Sequence, residues 1–240
     1  MRLAEATWTD LDALETDLAL LPVGSTEQHG PHGPLGTDTL TATAVAEAGR
    51  SAYDGTVVVA PPLPYGISAE HRAFRGTLWL DPDTFRATIR NVTTSLFDQG
   101  WPKVVYVNGH GGNVEALREV AADVSRHEAG FAVSFTWFLA VGEHTADMGH
   151  GGPLETAMLR AHHPDLVRED RIDAAKQGAS ERWGEWAGNV NLAHDTDEFT
   201  GNGVVGDPTA GDADFGEELT DLAAENLVAV LEAVEDRPTD

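Results

Sequence analysis

The sequence predicts an α/β fold, a three-layer sandwich in which a mainly parallel central sheet is flanked by helices. Three observations predict it. Short, nearly continuous apolar runs recur along the chain, amphipathic stretches of helical period alternate with them, and glycine-rich loops follow the runs. An unbroken apolar run is the signature of a strand buried on both faces. Alternation with helices is what parallel pairing through crossover connections requires.

Strands are expected at 18–23, 56–60, 103–107 and 131–137. Helices are expected at 38–50, 82–99 and 113–128, with Gly100 and Gly130 where C-caps fall. A further helix is expected at 153–162, where Pro153 suits the first helical position, and a last one at 215–234. Residues 164–212 are polar, rich in Gly and Asp, and contain Trp183 and Trp186; they read as an irregular lid or an oligomer contact. Residues 1–240 then make one domain, long enough for a proper core.

Composition narrows the chemistry. The 240 residues carry 15 basic against 40 acidic side chains, a net charge of −25. That balance repels nucleic acid and anionic membranes, so neither is an expected partner. It also matches the surface of a halophilic protein, whose self-repulsion is screened by a salty cytoplasm. There is no cysteine, which excludes disulfides and thiolate metal sites. No apolar run approaches the ~20 residues of a membrane span, and a cytoplasmic location is expected.

Three loops carry imidazoles and carboxylates on glycine-rich turns. The first, 21–38, follows an apolar run and holds Glu27, His29, His32 and Asp38. Glu27 and His29 point the same way if the backbone stays extended. Mixed carboxylate and imidazole donors suit Zn, Mn or Fe(II) better than Ca or Mg. Asp38 taken alone reads equally as a helix cap. The second loop, Asn108-Gly109-His110-Gly111-Gly112-Asn113, leaves a strand directly. It reads as a phosphate cradle or as the support of a ligand, His110, but lacks the lysine of a P-loop. In the third, His150-Gly151-Gly152-Pro153-Leu154-Glu155, the acid sits in a first helical turn, where the helix dipole alone justifies it. The functional alternative gives Glu155 to a metal and proton transfer to His150. In open α/β sheets ligands bind beyond the carboxyl ends of strands, which places all three loops at one site.

These loops, in this order and spacing, resemble the creatininase (creatinine amidohydrolase) family. So do Glu70-His71-Arg72-Ala73-Phe74-Arg75-Gly76-Thr77 and the stretch 203–208. The resemblance implies a creatininase-like sandwich, a homo-oligomer (commonly a hexamer), and one or two divalent metals per chain, Zn, Mn or Fe(II), that hydrolyse C–N bonds of small non-peptide amides or formamides. It implies Glu27, His29, Asp38 and His110 as ligands, Asp38 as a bridge, Glu155 as a further site carboxylate and His150 as acid/base. Trp137, His71, Arg72 and Arg75 are the implied substrate contacts, the arginines as partners for the phosphate of a formamidopyrimidine ribonucleotide. The chain departs from creatininases at Gly112, where they carry a glutamate, at Gly149, where they carry an acid, and at Ala146, where they carry a tryptophan. The departures point away from creatinine, and either Glu155 supplies the lost carboxylate or one metal position is weaker or empty. The competing expectations are a nucleotide-binding protein without hydrolysis and a metal-stabilised structural subunit.

Overall fold

The computed structural model describes residues 1–238. Four parallel strands, β1 (Leu18–Val23), β2 (Val58–Val59), β3 (Lys103–Asn108) and β4 (Phe131–Thr136), lie in the order β2-β1-β3-β4. In β1, Leu18 and Leu20 enter one core, while Ala19, Leu21 and Val23 enter the other. In β3, Val105 and Val107 share the first core, and Val104 and Tyr106 the second. The runs are unbroken because both faces are covered.

Helix α2 (Thr37–Ala52), α5 (Pro153–His162) and α7 (Ala213–Glu235) cover the first face. Helices α3 (Pro82–Asp98) and α4 (Val114–His127) cover the second. The result is the three-layer arrangement expected from the sequence. Among the described residues no helix is long and apolar enough to cross a membrane.

Two strand expectations are shortened. The second strand keeps only two ladder residues of 56–60, because it lies at the sheet edge and runs into Pro61 and Pro62, which cannot donate to a ladder. The fourth stops at Thr136, and Trp137 opens a 3-10 turn instead. Pattern reading also missed two short helices, α1 (Trp8–Asp12) and α6 (Ile172–Gln177). The 164–212 segment holds α6 and a small hairpin of β5 (Trp186–Ala187) and β6 (Val190–Asn191).

Candidate metal centre

The carboxyl ends of β1 and β3 and the start of α5 bring the three loops together. Gly109 lies so close to the Asp38 carbonyl that any Cβ would clash, so the second loop must pass over the start of α2 on a glycine. Asn108 and Asn113 then tie that turn down. Asn108 Nδ2 donates to the His110 carbonyl at 2.8 Å, and Asn113 Nδ2 donates to the Gly24 carbonyl at 3.0 Å. Asp38 is not a cap. The end of α2 has no side-chain cap, and the Asp38 carboxylate turns inward.

Glu27, His29, Asp38, His110, His150 and Glu155 converge in the buried interior. His110 Nδ1 lies 3.2 Å from Glu27 Oε2 and 3.3 Å from Asp38 Oδ2. His29 Nε2 lies 3.0 Å from Asp38 Oδ1 and 3.5 Å from Glu155 Oε1. Asp38 therefore joins two donor groups with its two oxygens. One is Glu27, Asp38 and His110; the other combines His29, His150 and Glu155, all within ligand reach of one another. Glu155 also accepts the Gly151 N–H at 2.6 Å through Oε2, so its helix-end role and its inward role coexist.

The outer nitrogens fix the rings. His110 Nε2–H donates to the Ile67 carbonyl at 2.7 Å, His150 Nε2–H to the Gln28 carbonyl at 2.6 Å, and His29 Nδ1–H to the Glu27 carbonyl at 3.2 Å. A carbonyl can only accept, so each ring's remaining nitrogen is the one that faces the carboxylates. Metal-binding histidines are oriented in this way by their second nitrogen.

His71 differs. Gln28 has its amide oxygen on the Gly30 N–H (2.9 Å), and its Nε2 donates to the Gly203 carbonyl (3.1 Å) and to His71 Nδ1 (2.9 Å). His71 therefore carries its proton on Nε2, which sits 3.3 Å from Glu27 Oε1. Burial, with the neighbouring His150 and His110, holds the His71 imidazole far below its ordinary pKa. It is a neutral ring whose N–H faces Glu27 without closing a hydrogen bond. The rings of His29, His150 and His71 stack in series, with centroids 4.4 Å apart at both steps.

The donor set fits a divalent cation. Both oxygens of Glu27, Asp38 Oδ2 and His29 Nε2 are buried without a hydrogen-bond partner among the described residues. Buried polar atoms are ordinarily satisfied. Burial pushes His29 and His110 downward, but the facing carboxylates overcome it and hold both well above the ordinary imidazole value. Burial likewise pushes Asp38 upward, and His29 and His110 reverse it to below the usual carboxylate range. The cluster draws positive charge to its centre, as protons or as metal.

The centre floors an open cavity of about 1160 Å³. Phe138, Met148, Leu154 and Phe215 form apolar wall, while Glu181, Arg182 and Trp183 from the 164–212 segment approach from above. Three expected substrate contacts lie elsewhere. Trp137 is fully buried in the first core, Arg72 is exposed and pairs with Asp195, and Arg75 is exposed outside the cavity. His71 does line the cavity, but Gln28 takes up its Nδ1 and its Nε2 faces Glu27. His32 leaves the site and bonds Thr156 Oγ1 on α5 at 2.9 Å.

The departures have structural reasons. A Cβ at Gly112 would overlap the Ile67 carbonyl and lie 2.6 Å from His110 Nε2, so a glutamate there is incompatible with the bond that orients His110. Gly149 has φ of 61° and abuts the Val205 carbonyl, which only glycine tolerates. The nearby carboxylate is Glu155, 3.5 Å from His29. Sequence reasoning missed Gln28, although it lies inside the first motif. It also missed Arg182, and named Trp183 only as part of a lid or oligomer contact, because their segment carries no periodic or motif signal.

A family model described as creatininase, creatinine amidohydrolase, matches residues 4–231. The mycofactocin precursor peptide peptidase of Mycolicibacterium smegmatis is 36% identical over 208 residues, covering 84% of this chain and 79% of that one. Its Mycobacterium ulcerans counterpart is 39% identical over 165 residues, but the match covers 65% of this chain and only 62% of that protein. The creatinine amidohydrolase of Pseudomonas putida is 30% identical over 195 residues, covering 70% and 74%. A solved structure titled "Creatininase Mn" superposes with a TM-score of 0.81 at 22% identity, covering 98% of this chain and 99% of the other, which establishes the shared fold. With loops, sheet and match in agreement along most of its length, this chain is a hydrolase of the creatininase family.

Proposed function

We propose that this protein is a metal-dependent hydrolase of an amide C–N bond in a substrate larger than creatinine, the end of a peptide being the best fit. The observation that carries the metal is the set of buried, unpartnered atoms on Glu27, Asp38 and His29. Glu27, Asp38 and His110 would hold one ion; His29, Asp38 and Glu155 would hold a second. Zn, Mn and Fe(II) all suit these donors. Such an ion supplies Lewis acidity that activates water and polarises the amide carbonyl.

The chain's own residues do the rest. The Gln28 amide fixes the His71 ring, whose N–H then faces Glu27 at 3.3 Å. Burial lowers the His150 pKa, which keeps the ring neutral, and its Nε2–H is committed to the Gln28 carbonyl. Nδ1 is left to take a proton and return it to the departing nitrogen.

Cavity size and the peptidase relatives support a peptide substrate over a small ring. The ribonucleotide formamide has less support, because Arg72 and Arg75 lie outside the cavity. The test is elemental analysis of the purified protein, followed, after loading with Zn, Mn or Fe(II), by amine release from acylated peptides, formate release from formamides and creatine formation from creatinine. Turnover of peptides with at least one metal per chain is the expected result. Creatinine turnover that outpaces the peptides would overturn the substrate reading.

A further inference from the structure

The cavity contains one feature that the hydrolytic centre does not use. Its wall is strongly acidic: beyond the ligands, it includes Glu70, Asp147, Glu181 and Asp207. Against them stands one guanidinium among the lining residues, Arg182. Several arginines elsewhere pair with carboxylates, Arg50 with Glu47, Arg72 with Asp195, Arg86 with Glu119 and Arg160 with Glu169, and those left without such a pair, Arg75, Arg126, Arg168, Arg171 and Arg237, do not line the cavity. Arg182 meets no carboxylate within ion-pair distance among the described residues, although its neighbour in sequence is Glu181.

Its position is held from both sides. Ser180 N–H donates to the Val204 carbonyl at 2.9 Å, and Ser180 Oγ donates to the Arg182 carbonyl at 2.7 Å. On the other side Trp183 packs edge-on against His71 and His150, with ring centroids 5.8 Å and 5.9 Å away. Trp186 Nε1–H donates to the Trp183 carbonyl at 2.6 Å. The segment is thereby pinned over the His150 side of the centre, where a departing nitrogen takes its proton.

We propose that Arg182 binds a carboxylate on the amine half of the substrate, so that the enzyme acts on amides whose leaving group is an amino acid or short peptide with a free carboxyl end. This rests on the hydrolytic reading above. One planar guanidinium matches one carboxylate in a two-pronged bond. A phosphate dianion is a poor occupant, since a single cation would have to hold it against the surrounding acids. The reaction balances with water alone. The C–N bond breaks, hydroxyl joins the acyl carbon to give a carboxylic acid, the proton passes to nitrogen, and the released amine keeps its own carboxylate on Arg182. Phe138, Phe215 and Met148 provide apolar surface for the side chain beside it.

The test uses the metal-loaded protein and a panel of N-acetylated dipeptides with apolar, polar and charged final residues, each as free acid and as C-terminal amide. Binding is measured by calorimetry, and cleavage by amine release. The expected result is that the best acid binds at least ~10-fold tighter than its amide, and that Arg182→Ala erases the difference. For a cleaved acid, the variant should raise KM ~10-fold or more while kcat stays within about 3-fold. Arg182 is exposed, so the variant should fold, and an unchanged melting temperature checks this. Acid preference without cleavage would sink the hydrolytic reading and leave the carboxylate anchor standing. Equal binding of acid and amide, a preference that survives Arg182→Ala, no binding by any member, or displacement by inorganic phosphate more readily than by acetate would each overturn the anchor.

Discussion

Gln28 Nε2 donates to His71 Nδ1 at 2.9 Å, and that bond decides what His71 is. With Nδ1 accepting, the ring presents an N–H, not a lone pair, to Glu27. A grouping of Glu27, His71 and His150 satisfies distance criteria for a metal, yet its chemistry sets the His71 N–H, not a lone pair, against Glu27.

His71→Ala should therefore weaken metal binding about 10–100-fold while leaving the number of ions per chain unchanged. His71→Gln, which restores an N–H donor, should recover part of the loss. Chelator competition measures the affinity and elemental analysis the count; a missing ion in His71→Ala would make the residue a ligand.

Asp38 and Glu155 should separate by stoichiometry. Asp38 faces both donor groups and Glu155 only the His29 group. Asp38→Ala is expected to lose all tightly bound metal and at least ~10³-fold of activity, since the Lewis acid goes with it. Glu155→Ala is expected to lose at most one ion per chain. Retention of full metal content by Asp38→Ala would refute the bridge.

Metal affinity should rise with pH. Without metal, His29 and His110 hold protons above the ordinary imidazole range because carboxylates face them. An ion must displace those protons, so lowering the pH strengthens the competitor and weakens binding. A titration with chelator buffers across pH 6 to 9 checks the sign; a flat profile would contradict it.

His32 makes folding sensitive to acid. Burial lowers its pKa from 6.5 to about 4. The unfolded chain takes the proton first, so the stability linked to neutral His32 is present above pH 6.5 and is lost as pH falls toward 4, by at most about 3 kcal/mol. His32→Gln should melt with a shallower pH dependence in that window. An identical slope in variant and parent would remove His32 from the account.

Gly112→Glu should not convert the protein into a creatininase. The new Cβ collides with the Ile67 carbonyl that orients His110. The expected outcome is a lower melting temperature and weaker metal binding, with Gly112→Ala already showing most of both. A stable Gly112→Glu protein with tighter metal binding would show that the loop can rearrange.

The layered fold was legible because Leu18–Val23 and Lys103–Asn108 are apolar on both faces, a pattern few other environments reward. Glu27, His29, Asp38, His110, His150 and Glu155 were legible as a set because glycine-rich turns hold each of them at a strand or helix end. The cavity walls were not. Arg182 and Trp183 reach the site through a segment held by Ser180, whose N–H bonds the Val204 carbonyl and whose hydroxyl bonds the Arg182 carbonyl, contacts without sequence periodicity. Trp137 misled for a related reason: a tryptophan after a strand is as easily swallowed by the core as offered to a ligand.

The carbonyls that aim His29, His110 and His150 belong to the main chain of Glu27, Ile67 and Gln28. No single codon change deletes a main-chain oxygen. The aim of the three rings is thus sheltered from ordinary mutational drift, whereas Arg182, Ala146 and Phe215 around the mouth are each one substitution from something else. Such a division of labour lets a lineage trade substrates freely while the hydrolytic engine underneath is inherited intact.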